Sequence, residues 1–123
     1  MSAKITGQAH RLRIYIGESD RYHHQALYHA IVLEARKRGL AGATVVRGIE
    51  GFGPSKRIHT ANMLDLSADL PILIEIIDSE EYLTPFIAVL DGMMTSGLIT
   101  VDPVNIVHYG AGGRAGADKP AND

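Results

Sequence analysis

Hydrophobic residues recur along this chain with two different periods. Leu12, Ile14 and Ile16 alternate with Arg13 and Tyr15 before Gly17, the period-two pattern of a strand. Leu27, Ala30, Ile31, Glu34 and Ala35 fall instead at helical spacing. Ser19 or Asp20 is placed to cap that helix, Arg36-Lys37-Arg38 gather where its dipole ends, and Gly39 suits the residue just beyond. A helix from about Asp20 to Arg38 is therefore expected. The β-branched Thr44-Val45-Val46 predicts a second strand over Ala43 to Ile49. Pro71-Ile72-Leu73-Ile74-Glu75-Ile76-Ile77-Asp78 is the strongest strand in the chain. Asp78-Ser79-Glu80-Glu81 reads as a capping-box start for a second helix, with Leu83, Phe86, Ile87, Leu90 and Met94 on one stripe. Pro85 either kinks this helix or sits at its first position after a Thr84 N-cap. Gly97 closes it. Leu98 to His108 reads as a last strand, interrupted at Asp102-Pro103 by a bulge or by lying at an edge.

The succession β-α-β-β-α-β predicts an α+β, ferredoxin-like sandwich with both helices on one face of a four-stranded sheet. Residues 1–9 form a flexible leader, 10–109 the domain, and 110–123, rich in glycine and alanine, a disordered tail. The strands are apolar on both sides: Ile72, Ile74 and Ile76 point one way, Leu73 and Ile77 the other. A bare apolar face of that size is not tolerated in water, so self-association through it is expected.

Composition narrows the classes. The 123 residues suit one domain, and 46% hydrophobic with 21% charged content is ordinary for a soluble globular chain. The net charge of −2, with no single basic run, argues against nucleic acid as a partner. The absence of cysteine removes disulfides, thiolate nucleophiles and cysteine-based metal sites, and fits a reducing compartment. With neither a membrane-length apolar run nor a signal peptide, the expectation is a cytoplasmic protein.

The chemistry concentrates in one stretch, Arg47-Gly48-Ile49-Glu50-Gly51-Phe52-Gly53-Pro54-Ser55-Lys56-Arg57-Ile58-His59-Thr60. Its glycines permit a sharp turn or a close approach, and Pro54 cannot donate to a ladder. Lys56, Arg57, His59 and Thr60 then lie on a loop running to about Asp69. Glycine backbone with basic side chains is anion-binding chemistry, phosphate above all. Glu18, Asp20 and Glu50 are available to pair with Arg47 or Arg57, and Glu75 is expected to be solvated or paired at an interface. No nucleophile or base stands beside these carboxylates, so the chain is not read as an enzyme. His23, His24 and His29 lie near the first helix without the spacing of a helical metal site, so no metal ligands are assigned. His10 and His108 could meet across strands if the termini pair.

Gly51-Phe52-Gly53, a basic turn and His59-Thr60 resemble the start of the long T-loop of PII signal-transduction proteins, and Leu70-Pro71 leading into Ile72 to Ile76 resembles the strand after it. With Tyr15-Ile16-Gly17-Glu18, Arg47 to Gly53 and Asp69-Leu70-Pro71, the pattern is more similar still to an uncharacterised PII-like branch, the domain-of-unknown-function family 190, over about residues 10–109. The resemblance implies a homotrimer with the open sheet faces around a central axis, and a cleft between subunits that holds an adenine nucleotide as effector. It implies that Gly51, Phe52 and Gly53 approach the ligand, that Thr95, Ser96 and Gly97 form the turn after the second helix, and that Gly97 to Val101 line the cleft. The loop 54–69 would report the ligand to a partner, a membrane transport protein or an enzyme. The chain departs from PII proteins in three places. The Thr95-Ser96-Gly97-Leu98 turn is short and has leucine where a lysine would meet phosphate. The last strand ends Ile106-Val107-His108-Tyr109 without arginines. No tyrosine lies between Pro54 and Pro71 for modification. A smaller nucleotide or another anion, met by Arg47, Lys56, Arg57 and His108, thus stays open beside ATP. A metal-binding trimer and a small enzyme on the same scaffold are the alternatives.

Overall fold

The computed structural model describes residues 7–61 and 69–110. Its main sheet has four antiparallel strands: β1 (Gly7–Gly17), β4 (Thr44–Arg47), β7 (Pro71–Asp78) and β8 (Leu98–Ile106), in the order β4-β7-β1-β8. Two short ribbons accompany it, β2 (Arg21–Tyr22) with β3 (Gln25–Ala26), and β5 (Glu50–Gly51) with β6 (His59–Thr60). Helices α1 (Leu27–Lys37) and α2 (Glu80–Met93) cover one face. The β-α-β-β-α-β order expected from the sequence is the order of these main elements.

The core follows from the two periods. Leu12, Ile14 and Ile16 of β1 and Ile72, Ile74 and Ile76 of β7 all point at the helices and are buried. Against them α1 buries Leu27, Ala30, Ile31 and Ala35, and α2 buries Leu83, Phe86, Leu90 and Met93. Register is fixed by this burial, because a slip of one residue would turn every aliphatic to the other face. Leu12 therefore stands opposite Ile76, Ile14 opposite Ile74, and Ile16 opposite Ile72.

The first helix starts later than expected. Asp20 does not cap it: its Oδ2 accepts the Gly17 N–H at 2.9 Å, closing a turn, and its backbone carbonyl accepts the Leu27 N–H at 2.8 Å. The residues between form the β2–β3 hairpin, with His23 at φ +58° in its turn, and the N-cap is Ala26, with no side-chain cap. The C-terminus of α1 is the one expected. Gly39, at φ +77°, donates to the Arg36 carbonyl and Leu40 donates to that of Ala35, a Schellman closure.

Three other boundaries differ. α2 starts at Glu80 and runs through Pro85 to Met93, so the Thr84 start does not occur. Only the N–H of a single early residue is forgone, which a well-buried stripe outweighs. The second main strand covers Thr44–Arg47, not Ala43 to Ile49, because the Gly48 N–H turns aside to the Pro71 carbonyl at 2.7 Å. β8 ends at Ile106 rather than His108 and pairs with β1 in unbroken register through Pro103. It is an edge strand, where one missing donor is tolerated, so no bulge is needed. β1 begins at Gly7, so Gly7 to Ala9 belong to the sheet and not to a leader; residues 1–6 and 111–123 lie outside the described residues.

Asp78 is fully buried and joins two connections: Oδ2 accepts the Ala41 N–H at 2.9 Å and Oδ1 the Ser79 N–H at 2.6 Å. The capping box expected at Asp78-Ser79 is thus replaced by an aspartate that ties the α1–β4 loop to the start of α2, since the Ser79 side chain makes no cap bond. We expect Phe86→Ala, which empties the centre of the core, to lower unfolding free energy by about 3–5 kcal/mol in urea titration.

Candidate functional site

The face of the sheet opposite the helices carries Arg11, Arg13 and Tyr15 from β1, Leu73, Glu75 and Ile77 from β7, Thr44 and Val46 from β4, and Leu98, Thr100 and Asp102 from β8. It is less apolar than the alternation of β7 alone implied. Two cross-strand ion pairs occupy it: Arg11 to Asp102 through two bonds of 3.2 and 2.7 Å, and Arg13 to Glu75 at 3.2 Å. Glu75 is accordingly paired within the chain. Around these pairs Tyr15, Val46 and Leu98 remain exposed.

At one end of this face, β4 and β7 lead into the glycine-rich stretch. Gly48 and Gly51 both lie against the Pro71 ring; a Cβ on Gly48 would stand 2.9 Å from Pro71 Cγ, and one on Gly51 3.1 Å. Here glycine is required by close approach. Arg47 Nε lies 3.3 Å from Glu18 Oε2, so the expected pairing of Glu18 with Arg47 forms, and the Glu18 N–H donates to the Leu70 carbonyl. Ser19 N–H donates to Asp69 Oδ1 at 2.7 Å. The loop base is thereby bound to the ends of β1 and β7.

The loop itself differs from the expectation. His59 and Thr60 are not free along it but form β6, paired with Glu50 and Gly51, and Ala61 N–H returns to the Ile49 carbonyl. The tip is a tight turn, with the Lys56 N–H donating to the Gly53 carbonyl and Lys56 itself at φ +67°. A Cβ on Gly53 would meet nothing within 4 Å. Phe52, Lys56 and Arg57 point outward, exposed. Residues 62–68 of the expected loop lie outside the described residues.

At the other end of β4 is a cavity of about 250 Å³ lined by Ala41, Gly42, Ala43, Thr44, Glu75, Ile77, Ile106, His108 and Tyr109. The segment after β8 crosses back to build it, held by Tyr109 Oη donating to the Ala41 carbonyl at 3.1 Å. His108 therefore belongs with Glu75 and Thr44 and not with His10, whose partner in β8 is Pro103. Between this cavity and the loop base, Val46 and Leu73 floor a lane along β4, about 10 Å from Thr44 to Arg47.

The predicted residues thus fall into three places. Arg47, Gly48 and Gly51, with the outward Phe52 to Thr60, stand at the loop base and hairpin; His108 stands at the far end of the lane. Thr95, Ser96 and Gly97 stand across the sheet, before β8 on the opposite edge. Gly97, at φ +117°, has a position where a Cβ would be 2.8 Å from the Tyr15 carbonyl oxygen. One protomer does not bring this turn to the lane. Thr44, Glu75, Ile77, Ala41 and Tyr109 carry no mark of a site in the sequence, and only the pairing of Thr44 with Glu75 could have signalled them. Among the described residues no three histidine or carboxylate side chains converge as metal ligands, and no helix is long and apolar enough to cross a membrane.

The sheet order, the two helices on one face and the glycine-pinned loop base define a PII-like fold. Solved structures bear this out. CPII from Thiomonas intermedia K12, bound to ADP and bicarbonate, superposes with a TM-score of 0.59 at 20% identity, over 82% of this chain and 90% of that one. A Thermus thermophilus protein described as PII-like signaling gives 0.60 at 18% identity, over 82% and 91%. At such identities the likeness speaks for the fold. The sequence profile of the DUF190 family ("Uncharacterized ACR, COG1993") matches residues 9–106, and the chain belongs to that family. A UPF0166 protein of Aquifex aeolicus is 36% identical over 97 residues, 79% of this chain and 91% of the relative. Another from Methanocaldococcus jannaschii is 30% identical over 96 residues, 77% and 88%.

Two outcomes follow for this site. Gly48→Ala should cost about 1–3 kcal/mol in urea unfolding, since its methyl collides with the Pro71 ring, whereas Gly53→Ala should change stability by under about 0.5 kcal/mol. The hydrogen bonds from Arg11 hold the Asp102 carboxyl below the usual aspartate range, and the same bonds raise Arg11. A lowered folded-state value means the pair stabilises above the ordinary aspartate pKa and its contribution disappears as pH falls through the folded value. Arg11→Gln should flatten that acid-side decline in a pH series of thermal melts; a decline of unchanged steepness would assign it to other carboxylates.

Proposed function

We propose that this chain is a PII-like signalling protein, not an enzyme, whose lane along β4 takes a small effector, an adenine nucleotide or its mononucleotide fragment. The reading is carried by the lane's two unlike ends. The cavity offers Thr44, Glu75, His108 and Tyr109 over Ile77 and Ile106, an apolar floor with polar groups suited to a flat heteroaromatic base. The other end offers glycine backbone beside Pro71, suited to an anion, while Arg47, opposite Ile72, lies on the helix side of β4 against Glu18. That CPII is bound to ADP and bicarbonate in one structure, and to ADP, AMP and bicarbonate in another, supports the same chemistry.

The lane is open on its outer side, and the same face carries the exposed Tyr15 and Leu98 on β1 and β8. In this reading the face is covered by two further copies in a homotrimer, and a neighbouring copy supplies the Thr95-Ser96-Gly97 turn that one protomer leaves across the sheet. The loop 54–69 then answers the effector and docks a partner, a membrane transport protein, so that binding biases a conformational equilibrium. Its place is the cytoplasm.

The test is isothermal titration of the purified chain with AMP, ADP, ATP and bicarbonate, with its mass measured by light scattering. A three-chain mass, and binding of at least one nucleotide that Thr44→Val and His108→Ala each weaken about tenfold or more, are the expected results. A monomer, or binding indifferent to both substitutions, would defeat the reading.

A further inference from the structure

The β5–β6 hairpin has a tip whose composition fits neither a solvated turn nor a folded pocket. Phe52 is 62% exposed, Ile58 63% and Ile49, at its root, 79%, so three large apolar side chains face water within one short ribbon. From Phe52 to Ala61 there is no acidic residue, while Lys56 and Arg57 stand exposed between Phe52 and Ile58. Lys56 Nζ lies 5.8 Å from the centre of the Phe52 ring, which puts ring and ammonium on the same side of the turn. The turn is fixed by its own backbone bond, Lys56 N–H to the Gly53 carbonyl, and by the β5–β6 pairing. It therefore presents these groups as a preformed convex wedge.

We propose that this wedge inserts at an anionic lipid surface. An aromatic and a branched aliphatic side chain at the tip suit the boundary between headgroups and acyl chains, and adjacent cations add attraction to anionic headgroups. A fluid lipid boundary accommodates such a tip without a matching pocket, and it lies beside the membrane transport protein proposed as the loop's partner. Glu18 already engages Arg47 at the root, so the cations left for the surface are those at the tip. The proposal concerns only the hairpin and holds whether or not the lane binds a nucleotide.

The 123-residue chain is sedimented with vesicles of phosphatidylcholine alone and of equal parts phosphatidylcholine and phosphatidylglycerol. The chain contains no tryptophan, so Phe52→Trp serves as a depth reporter. The expected result is sedimentation with the anionic vesicles only, a blue shift of the Trp emission on binding, and a loss of affinity of about thirtyfold in Lys56→Gln/Arg57→Gln. Phe52→Ser should weaken binding at unchanged charge. Circular dichroism melts identical to the wild type would verify that these surface variants fold. Absence of vesicle binding, or binding without a blue shift, or binding indifferent to both sets of substitutions, would overturn the proposal. In the first case, tip-dependent association with a purified protein would reassign the wedge to a protein partner.

Discussion

The antiparallel ladder between β1 and β7 is the constraint on which everything else hangs. It sets Leu12, Ile14 and Ile16 beside Ile76, Ile74 and Ile72, and both helices pack on that row. Its two ends also fix the two ends of the lane. At one, Gly17 faces Pro71, and the Pro71 ring and carbonyl receive Gly48. At the other, His10 faces Asp78, whose buried carboxylate holds the Ala41 N–H at the cavity rim. Loops that carry ligand chemistry are usually the mobile parts of a fold. Here each is bonded to the terminus of a core strand, so their separation is set by strand geometry.

Elements whose burial follows one period are legible in the sequence. β1, β7, α2 and the end of α1 announce themselves because alternating or helical spacing of Leu, Ile and Phe leaves few other ways to bury them. Gly39 can be read as a helix terminator for a local reason, its left-handed backbone. Asp20 misleads because an aspartate carboxylate closes a turn with Gly17 as readily as it caps a helix, and residues 19–21 do not distinguish the two. Strands of two residues, such as Arg21–Tyr22 and His59–Thr60, are too short for any period. Pro103 allows a bulge or an edge because donor loss is local information, and edge position, which is global, decides between them in favour of the edge.

The site is half legible. Glycine spacing draws attention to Gly48 and Gly51, and Pro71 supplies the reason. The cavity is not legible, because it depends on Thr44 facing Glu75 across a register and on Tyr109 reaching Ala41 from the far end of the chain. The salt bridges on the open face are hidden for the same reason. Arg13 and Glu75 are paired only because β1 and β7 align them. Reading β7 alone suggests a fully apolar face; reading it beside β1 shows one partly neutralised by fitted charges.

The sheet's two outer strands carry a further consequence. An unpaired strand edge is a template on which other chains can grow, and long regular edges invite fibrils. β4 offers only the four residues Thr44–Arg47, and β8, though longer, breaks its donor row at Pro103 beside the charged Asp102. Growth by strand addition is thereby discouraged at both margins, while the broad face stays free of such interruption. A contact made through that face would be side chain to side chain, without shared backbone hydrogen bonds.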